Sequence, residues 1–347
     1  MKTAPSDRPL LTIAIPTFNR AQYLELCLRQ FIPDKALFSN ETVELLVADN
    51  CSCDHTGSVV DTFRQQGLEI RSIRNETNIG SDANIAMCFN MARGRYVQIL
   101  GDDDLYLPGK LQEVVELLDK NEYGVVCLKS YGYERDFVKE CPAGPNGQRY
   151  FSNVLNFISE VGPLITFVSA CIINKDLQKE TDASKFCGSN LVQVHLVILS
   201  LVRARINAYV QGYTLACKRA NSDGYDFSEV FVEKLFSILR SYEAQGFPRS
   251  ATDILGNKML VSYYPFNLLR QRLLRKGDSD VTFRRFKAQF GGRKTFYFFC
   301  APIILLPRSL AVLWGLGAAL IGRAYNGELR RGWYFAMHRL STMRRRY

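Results

Sequence analysis

The sequence predicts an α/β fold: a doubly wound, mostly parallel sheet, followed by a helical and basic carboxy-terminal region. Three observations predict it. Short apolar runs alternate with segments of helical spacing through the first hundred residues. Each apolar run ends in polar residues, as ligand-binding edges of open α/β sheets do. The charge is also unevenly spread. The chain of 347 residues carries a formal net charge of +10, yet from Arg270 onward 17 Lys/Arg face 3 Asp/Glu, which gives +14 and leaves −4 for residues 1–269. The basic character therefore belongs to the tail, and a nucleic-acid partner for the main body is not expected.

"LLTIAIP" (Leu10 to Pro16) is a β-branched apolar run that reads as a buried parallel strand, and "AQYLELCLRQFI" follows with helical spacing. The order repeats. "VELLVAD" is a strand ending at Asp49, "TGSVVDTFRQQ" a helix, "LEIRSIRN" a strand, "DANIAMCFNMA" a helix and "YVQIL" the next strand. The strand ends read "TFNR", "DNCSCD", "NETNIGSD" and "GDDD", and four such ends on one rim would make a single polar site.

Asp, Asn and Ser favour turns and helix caps, so "DNCSCDHTG" and "NIGSDAN" read equally well as turn-and-cap segments. Asp102, Asp103 and Asp104 are different. They follow a buried strand and precede a Pro-containing helix start, where mutual repulsion is costly unless a cation neutralises it. Hard oxygen ligands suit Mg²⁺ or Mn²⁺, sharing the remaining coordination with water and substrate phosphates. The ten cysteines are scattered in apolar runs, which fits reduced thiols; Cys51 and Cys53 lack a second Cys/His pair at zinc-site spacing. No secretory signal is read in the first thirty residues, so a cytoplasmic location is expected.

The succession "IPTFNR", "VADNCSCDHTG", "NETNIGSDANIA" and "GRYVQILGDDDLYLPGKL" resembles the nucleotide-sugar half of family 2 glycosyltransferases, which have the GT-A fold. The resemblance implies a GT-A domain over 1–225, with the nucleotide-sugar half at about 10–118 and the acceptor half at about 119–225, and a helical region over 226–347. It places Pro16, Thr17, Asn19 and Arg20 around the nucleotide, Asp49 at the base, and Asn78 and Asp82 nearby. Asp102 and Asp104 would hold the Mn²⁺ or Mg²⁺, with Asp103 beside the donor. Many members read D-x-D-D where this chain has Gly101-Asp102-Asp103-Asp104, so the ligating pair stays open.

In that family an acidic pair at the start of an acceptor-side helix supplies the base. Here "NLVQVHLVILSLV" followed by "RINAYVQGYTLACKR" resembles that helix-then-strand element, but its start, Gly188-Ser189-Asn190, holds no carboxylate. The candidate bases are Asp182 or Glu180 just upstream, and His195. The segment "CPAGPNGQRYF" (Cys141 to Phe151) has loop composition and reads as a surface loop or an acceptor-side flap.

Residues 270–294 are basic with interleaved Leu and Phe. The apolar run after them is cut by Pro302, Pro307 and Arg308, too short in each part to span roughly 30 Å of hydrocarbon. In-plane insertion, a single span and a buried hairpin all remain open. Leu329, Trp333, Met337 and Leu340 recur at helical spacing among arginines, the pattern of an interfacial helix on anionic lipid. The expected function is transfer of one sugar from a nucleotide-sugar to a lipid-linked (polyprenyl diphosphate) saccharide, with the protein peripheral or monotopic at the cytoplasmic side of the plasma membrane. A metal-dependent nucleotidyltransferase would need a glycine-rich loop after the first strand, which "IPTFNR" lacks. A non-catalytic scaffold of a polysaccharide assembly complex is the other alternative.

Overall fold

The structure is a computed structural model that describes residues 8–219 and 224–325. It divides into two units, Met1–Asp223 with Ala244–Phe247, and Gly224–Glu243 with Pro248–Tyr347.

The first unit is built on β1 (Leu11–Thr17), β2 (Val43–Asp49), β3 (Ile70–Arg74) and β4 (Tyr96–Ile99), all parallel. β1 and β2 are buried on both faces, as the apolar runs require when helices cover a sheet on each side. The covering helices are α1 (Ala21–Arg29), the short α2 (Lys35–Ser39), α3 (Thr56–Gln65) and α4 (Ser81–Met91). α1 turns Leu24, Cys27 and Leu28 inward at the i, i+3, i+4 spacing of one helix face.

Beyond β4 the sheet changes direction. The short β5 (Asp104–Tyr106) is followed by α5 (Lys110–Lys120), β6 (Val125–Tyr133), β7 (Gln148–Phe151), α6 (Val154–Val161), β8 (Cys171–Asn174), α7 (Val192–Arg203) and the long β9 (Asn207–Lys218). The spatial order is β3-β2-β1-β4-β8-β6-β9-β5, with β7 also on β9. β8 runs antiparallel to β4 and to β6, and β5 and β7 run antiparallel to β9. The sheet is thus mixed at this end.

Two segments differ from their sequence reading. Asp104 opens a strand, with the helix start delayed to Lys110 behind the left-handed Gly109 (φ 74°). "QRYF" of the expected loop adds to the sheet, its exposed polar residues being compatible with a sheet edge.

The second unit is helical. A π turn at Glu229–Lys234 leads into α8 (Leu235–Ser241); α9 (Arg249–Lys258) passes through a second π turn, Met259–Tyr263, into α10 (Tyr264–Leu274). α11 (Ser279–Phe290), α12 (Lys294–Phe299), α13 (Ala301–Leu305) and α14 (Arg308–Tyr325) follow. Asp278 caps α11 by accepting the N–H groups of Asp280 and Val281. The core is aromatic, with Tyr264 4.9 Å from Phe286 ring to ring and its hydroxyl donating to the Phe231 carbonyl at 2.7 Å. Pro302 sits in the first turn of α13 and Pro307 separates α13 from α14, so the apolar run is broken where the prolines require. Among the described residues no helix is long and apolar enough to cross a membrane. The amphipathic segment 329–340 lies outside the described residues.

Candidate active site

The carboxyl ends of β1, β2 and β3 and the loop after β4 are joined by side-chain bonds into one network. Thr17 Oγ1, at the end of β1, donates to Asp102 Oδ2 at 2.8 Å. Three residues on, the Arg20 guanidinium places Nε 2.9 Å from Asp102 Oδ1 and Nη2 2.8 Å from Asp103 Oδ2, and it lies over the Tyr23 ring at 4.6 Å. Asn19, held at φ 52°, lies between them in sequence: its N–H donates to Ser52 Oγ and its side-chain oxygen accepts the Cys53 N–H, both at 2.8 Å. Pro16 lies in β1 opposite Ala48 of β2.

Asp49 ends β2 and accepts the Ser52 N–H at 2.8 Å, while Arg74 at the end of β3 donates to its other oxygen at 3.2 Å. The neighbouring Asn50, buried, gathers the third strand end. Its amide donates to Asn78 Oδ1 at 2.8 Å, and its oxygen accepts from Asn75 Nδ2 and the Ile79 N–H at 3.0 Å each. Asn50, Ser52, Arg74 and Asn75 belong to the site and carry no role in the sequence reading. Asn50 and Ser52 stand inside the quoted "DNCSCD", where a turn explains them as well.

The three aspartates are sorted by depth. Burial raises the Asp102 carboxyl to about 6, against the pull of Arg20 and Thr17. Asp104 is deeper, pushed up to about 8 by burial and then by Asp103; Ser169 Oγ donates to its Oδ2. Ser169 Oγ also accepts the Gly101 N–H at 2.9 Å, and nothing in the sequence pointed to this serine. Gly101 itself has a geometric reason. A Cβ there would lie 3.0 Å from Asp104 Oδ2 and 3.2 Å from Asp103 Oδ1, so the acidic residue common at this place in the family would crowd two carboxylates.

Asp102 and Asp103 meet the Arg20 guanidinium, whereas Asp104, expected with Asp102 at the metal, faces Ser169. The reason is backbone position: Asp104 is the first residue of β5, paired with Cys217 of β9, and its carboxyl is engaged inside the protein. The residues present fit a divalent cation in donor chemistry, because two carboxylate oxygens already converge on one guanidinium charge. Among the described residues no group of three or more His, Cys, Asp or Glu is arranged to hold a metal by itself.

Asp82, expected near the nucleotide, and the candidate bases Asp182 and His195 have protein partners of their own. Asp82, in the first turn of α4, accepts the backbone N–H groups of Gly188 and Asn190 at 2.8 Å each, in the loop before α7. Asp182 caps a short 3₁₀ turn by accepting the Ser184 N–H and also accepts from Asn90 Nδ2 at 2.7 Å, bonds that hold it below the usual carboxylate range. His195 stacks on Phe186 with ring centres 4.3 Å apart, and burial, followed by Lys185, lowers it to about 4.

An open α/β sheet with a carboxylate-lined loop at its strand ends is the arrangement of a GT-A nucleotide-sugar transferase domain. Residues 12–171, a little under half of the chain, match the family model of glycosyl transferase family 2. It is 28% identical over 207 residues to the abequosyltransferase RfbV of Salmonella typhimurium, covering 54% of this chain and 60% of that protein. Glycosyltransferase GlyG of Streptococcus pneumoniae is 24% identical over 125 residues, 36% of this chain and 40% of its own. The chain thus spans about two fifths to three fifths of these two relatives' length. Among solved structures, S. aureus TarS 1-349 in complex with UDP-GlcNAc superposes with TM-score 0.59 at 16% identity, covering 92% of both chains. The mannosyltransferase PcManGT from Pyrobaculum calidifontis, in complex with GDP-Man and Mn²⁺, superposes with TM-score 0.51 at 18% identity, covering 88% of both.

Proposed function

We propose that the protein transfers one sugar from a nucleotide-sugar to a lipid-linked saccharide during surface-polysaccharide synthesis, working at the cytoplasmic face of the plasma membrane. The observation that carries the transfer reading is the convergence of Asp102 and Asp103 on one cationic group at the strand-end rim, beside Thr17 and the Asn19–Ser52 bond. A nucleoside diphosphate leaving group gains negative charge as the glycosidic bond breaks, and that charge needs a fixed cation. Mn²⁺ or Mg²⁺ held by Asp102 and Asp103 would supply it as a Lewis acid. Arg20, at the same carboxylates, is the protein's own cation there. Asp49 and Asn78 lie on the base side of the rim, where Asn50 ties the second strand end to the third.

For the acceptor hydroxyl, Asp182 is a better candidate base than His195, being exposed and ionised at neutral pH, whereas His195 is packed against a ring and poorly basic. The surface-polysaccharide setting, of O-antigen type, is supported by the likeness to an abequosyltransferase, and the lipid-linked acceptor by the basic, apolar carboxy-terminal region. A scaffold reading is favoured only by the absence of a carboxylate at Gly188-Ser189-Asn190.

The test is a thermal-shift screen of UDP, GDP, CDP and dTDP with and without Mn²⁺, followed by transfer from the matching sugar nucleotides to a short soluble acceptor. A ligand that binds only the native state raises the melting temperature. Stabilisation by one nucleotide, strengthened by Mn²⁺ and lost in Asp103→Asn, is expected. No shift with any nucleotide overturns the enzyme reading.

A further inference from the structure

α14 is amphipathic in the reverse sense for a helix facing water. Its small residues Ala311, Gly315, Ala318 and Gly322 recur at spacings of four, three and four and are buried. They let the backbone come close to the preceding helices. A Cβ on Gly315 would lie 3.1 Å from Leu269 of α10, and one on Gly322 would lie 2.1 Å from the Val261 carbonyl oxygen. The large apolar side chains are left on the other side, with Leu310 51%, Leu313 68%, Trp314 40% and Ile321 49% exposed. A helix that meets only solvent keeps its large apolar residues inward and its polar ones outward.

The exposed surface continues onto α12. Trp314 Nε1 donates to the Phe298 carbonyl at 2.8 Å, and the two rings meet edge-on at 5.5 Å. Phe298, in contact with Trp314, is itself 46% exposed, and Leu305 at the end of α13 is 55% exposed, so large apolar side chains are exposed on all three helices. Its electrostatic setting is biased to the basic side, with Arg285 paired to Asp226 and Glu233 and Arg293 to Asp253. Between Val281 and Gly327 the sequence holds seven Lys/Arg and no Asp or Glu, and Arg284, Lys287, Lys294 and Arg308 are exposed.

The geometry points to a face on α12–α14 that docks in the plane of an anionic lipid bilayer, with Leu310, Leu313, Trp314 and Phe298 entering the headgroup–acyl boundary. Apolar insertion and basic charge are the two signals that stable interfacial attachment requires. A two-fold contact between copies of this chain would bring the same uncompensated cations together, which disfavours self-association. In-plane rather than spanning geometry is favoured by α14 itself, which begins at Arg308 after a proline break and, among the described residues, is not long and apolar enough to cross. This deepens the membrane part of the proposed function. Its test uses no sugar, so the docking face and the transfer reaction can fail separately.

The full-length protein is mixed with unilamellar vesicles of phosphatidylglycerol and phosphatidylcholine in equal parts, or of phosphatidylcholine alone, and sedimented. Binding to the anionic vesicles is expected, weakened by salt. Leu310→Ser with Leu313→Ser should reduce it by about tenfold or more while circular dichroism stays unchanged, since two inserting side chains are lost. A Trp333→Phe background isolates Trp314, whose fluorescence should shift to the blue on the vesicles and be quenched by brominated acyl chains. Unquenched Trp314 in vesicle-bound protein overturns the proposal. So does a double-serine variant that binds as well as the parent. A parent that is dimeric and a double-serine variant that is monomeric, with equal vesicle binding, would assign the face to a protein contact instead.

Discussion

Asp82 Oδ2 accepts the backbone N–H of Asn190 at 2.8 Å, joining the first turn of α4 to a loop 108 positions later in the chain. The same oxygen accepts the Gly188 N–H, and Gly188 and Asn190 both have positive φ, at 91° and 57°. One carboxylate therefore organises the loop that leads into α7, where the family's acidic pair would stand. Asp82→Ala should cost about 1–2 kcal/mol of stability through two lost charge-assisted bonds. It should also raise the acceptor KM more than it weakens donor binding. Hydrogen exchange at Gly188 and Asn190 should accelerate. A collapse of nucleotide affinity with those amides still protected would return Asp82 to the nucleotide.

Arg20 is the partner of two carboxylates, one of them buried, so its removal leaves an uncompensated charge. Arg20→Ala should destabilise the metal-free protein by roughly 3 kcal/mol at pH 8. The loss should shrink near pH 5, where Asp102, raised by burial to about 6, takes up a proton. Adding Asp102→Asn should restore most of the stability. Urea unfolding at the two pH values measures this, and a pH-independent loss would mean that Arg20 acts only through its packing on Tyr23.

The pH sign for Asp104 is opposite to that of a salt-bridged aspartate. Its folded value is raised to about 8, so the favourable contribution is present below the usual carboxylate value and is lost as pH rises through about 8. Asp104→Asn should therefore gain stability relative to the parent between pH 6 and pH 9 in metal-free buffer. A stability difference that does not change across that interval would show the carboxyl to be ionised throughout.

His195 behaves in the other direction. Its folded value is lowered to about 4, so stability is full above its ordinary value near 6.5 and declines as pH falls toward 4. His195→Gln should flatten that acid limb. If the variant also retains transfer to a soluble acceptor, the histidine is a packing residue against Phe186 rather than the base.

Asp49 accepts the Ser52 N–H and an Arg74 donor at the strand-end rim, where we propose the nucleotide base sits. Asp49→Ala should weaken donor binding measured by calorimetry while manganese binding in the absence of nucleotide stays as it was. Equal donor affinity in the variant would leave Asp49 as a turn residue.

Much of the strand-end rim was legible because strand ends announce themselves: "LLTIAIP" and "VELLVAD" became β1 and β2 within a residue, and their polar ends meet through Asn19, Ser52 and Asp49. Which aspartates share a cation was not legible. That depends on the pairing of Asp104 with Cys217, a contact across 113 residues that no local pattern carries. Ser169 was missed for the same reason, since a serine in "FVSACI" has no signature until β4 and β8 bring it beside Gly101. "QRYF" reads as loop because proline and glycine precede it, and β9 recruits it regardless.

β9 has consequences beyond the sheet it completes. One of its edges is shared, Asn207–Val210 with β7 and Leu215–Cys217 with β5, so two short strands are fixed by the register of one long one. The β5 pairing is only three residues long, yet it sets Asp104 against Ser169 while Asp102 and Asp103 meet Arg20. The acidic loop behaves as a combination set by backbone pairing, not by the acids themselves. Inserting a single residue between Asp104 and Leu105 would move Asp104 out of its place opposite Cys217 without changing any of the three acids, because a one-residue slip exchanges the faces of a strand.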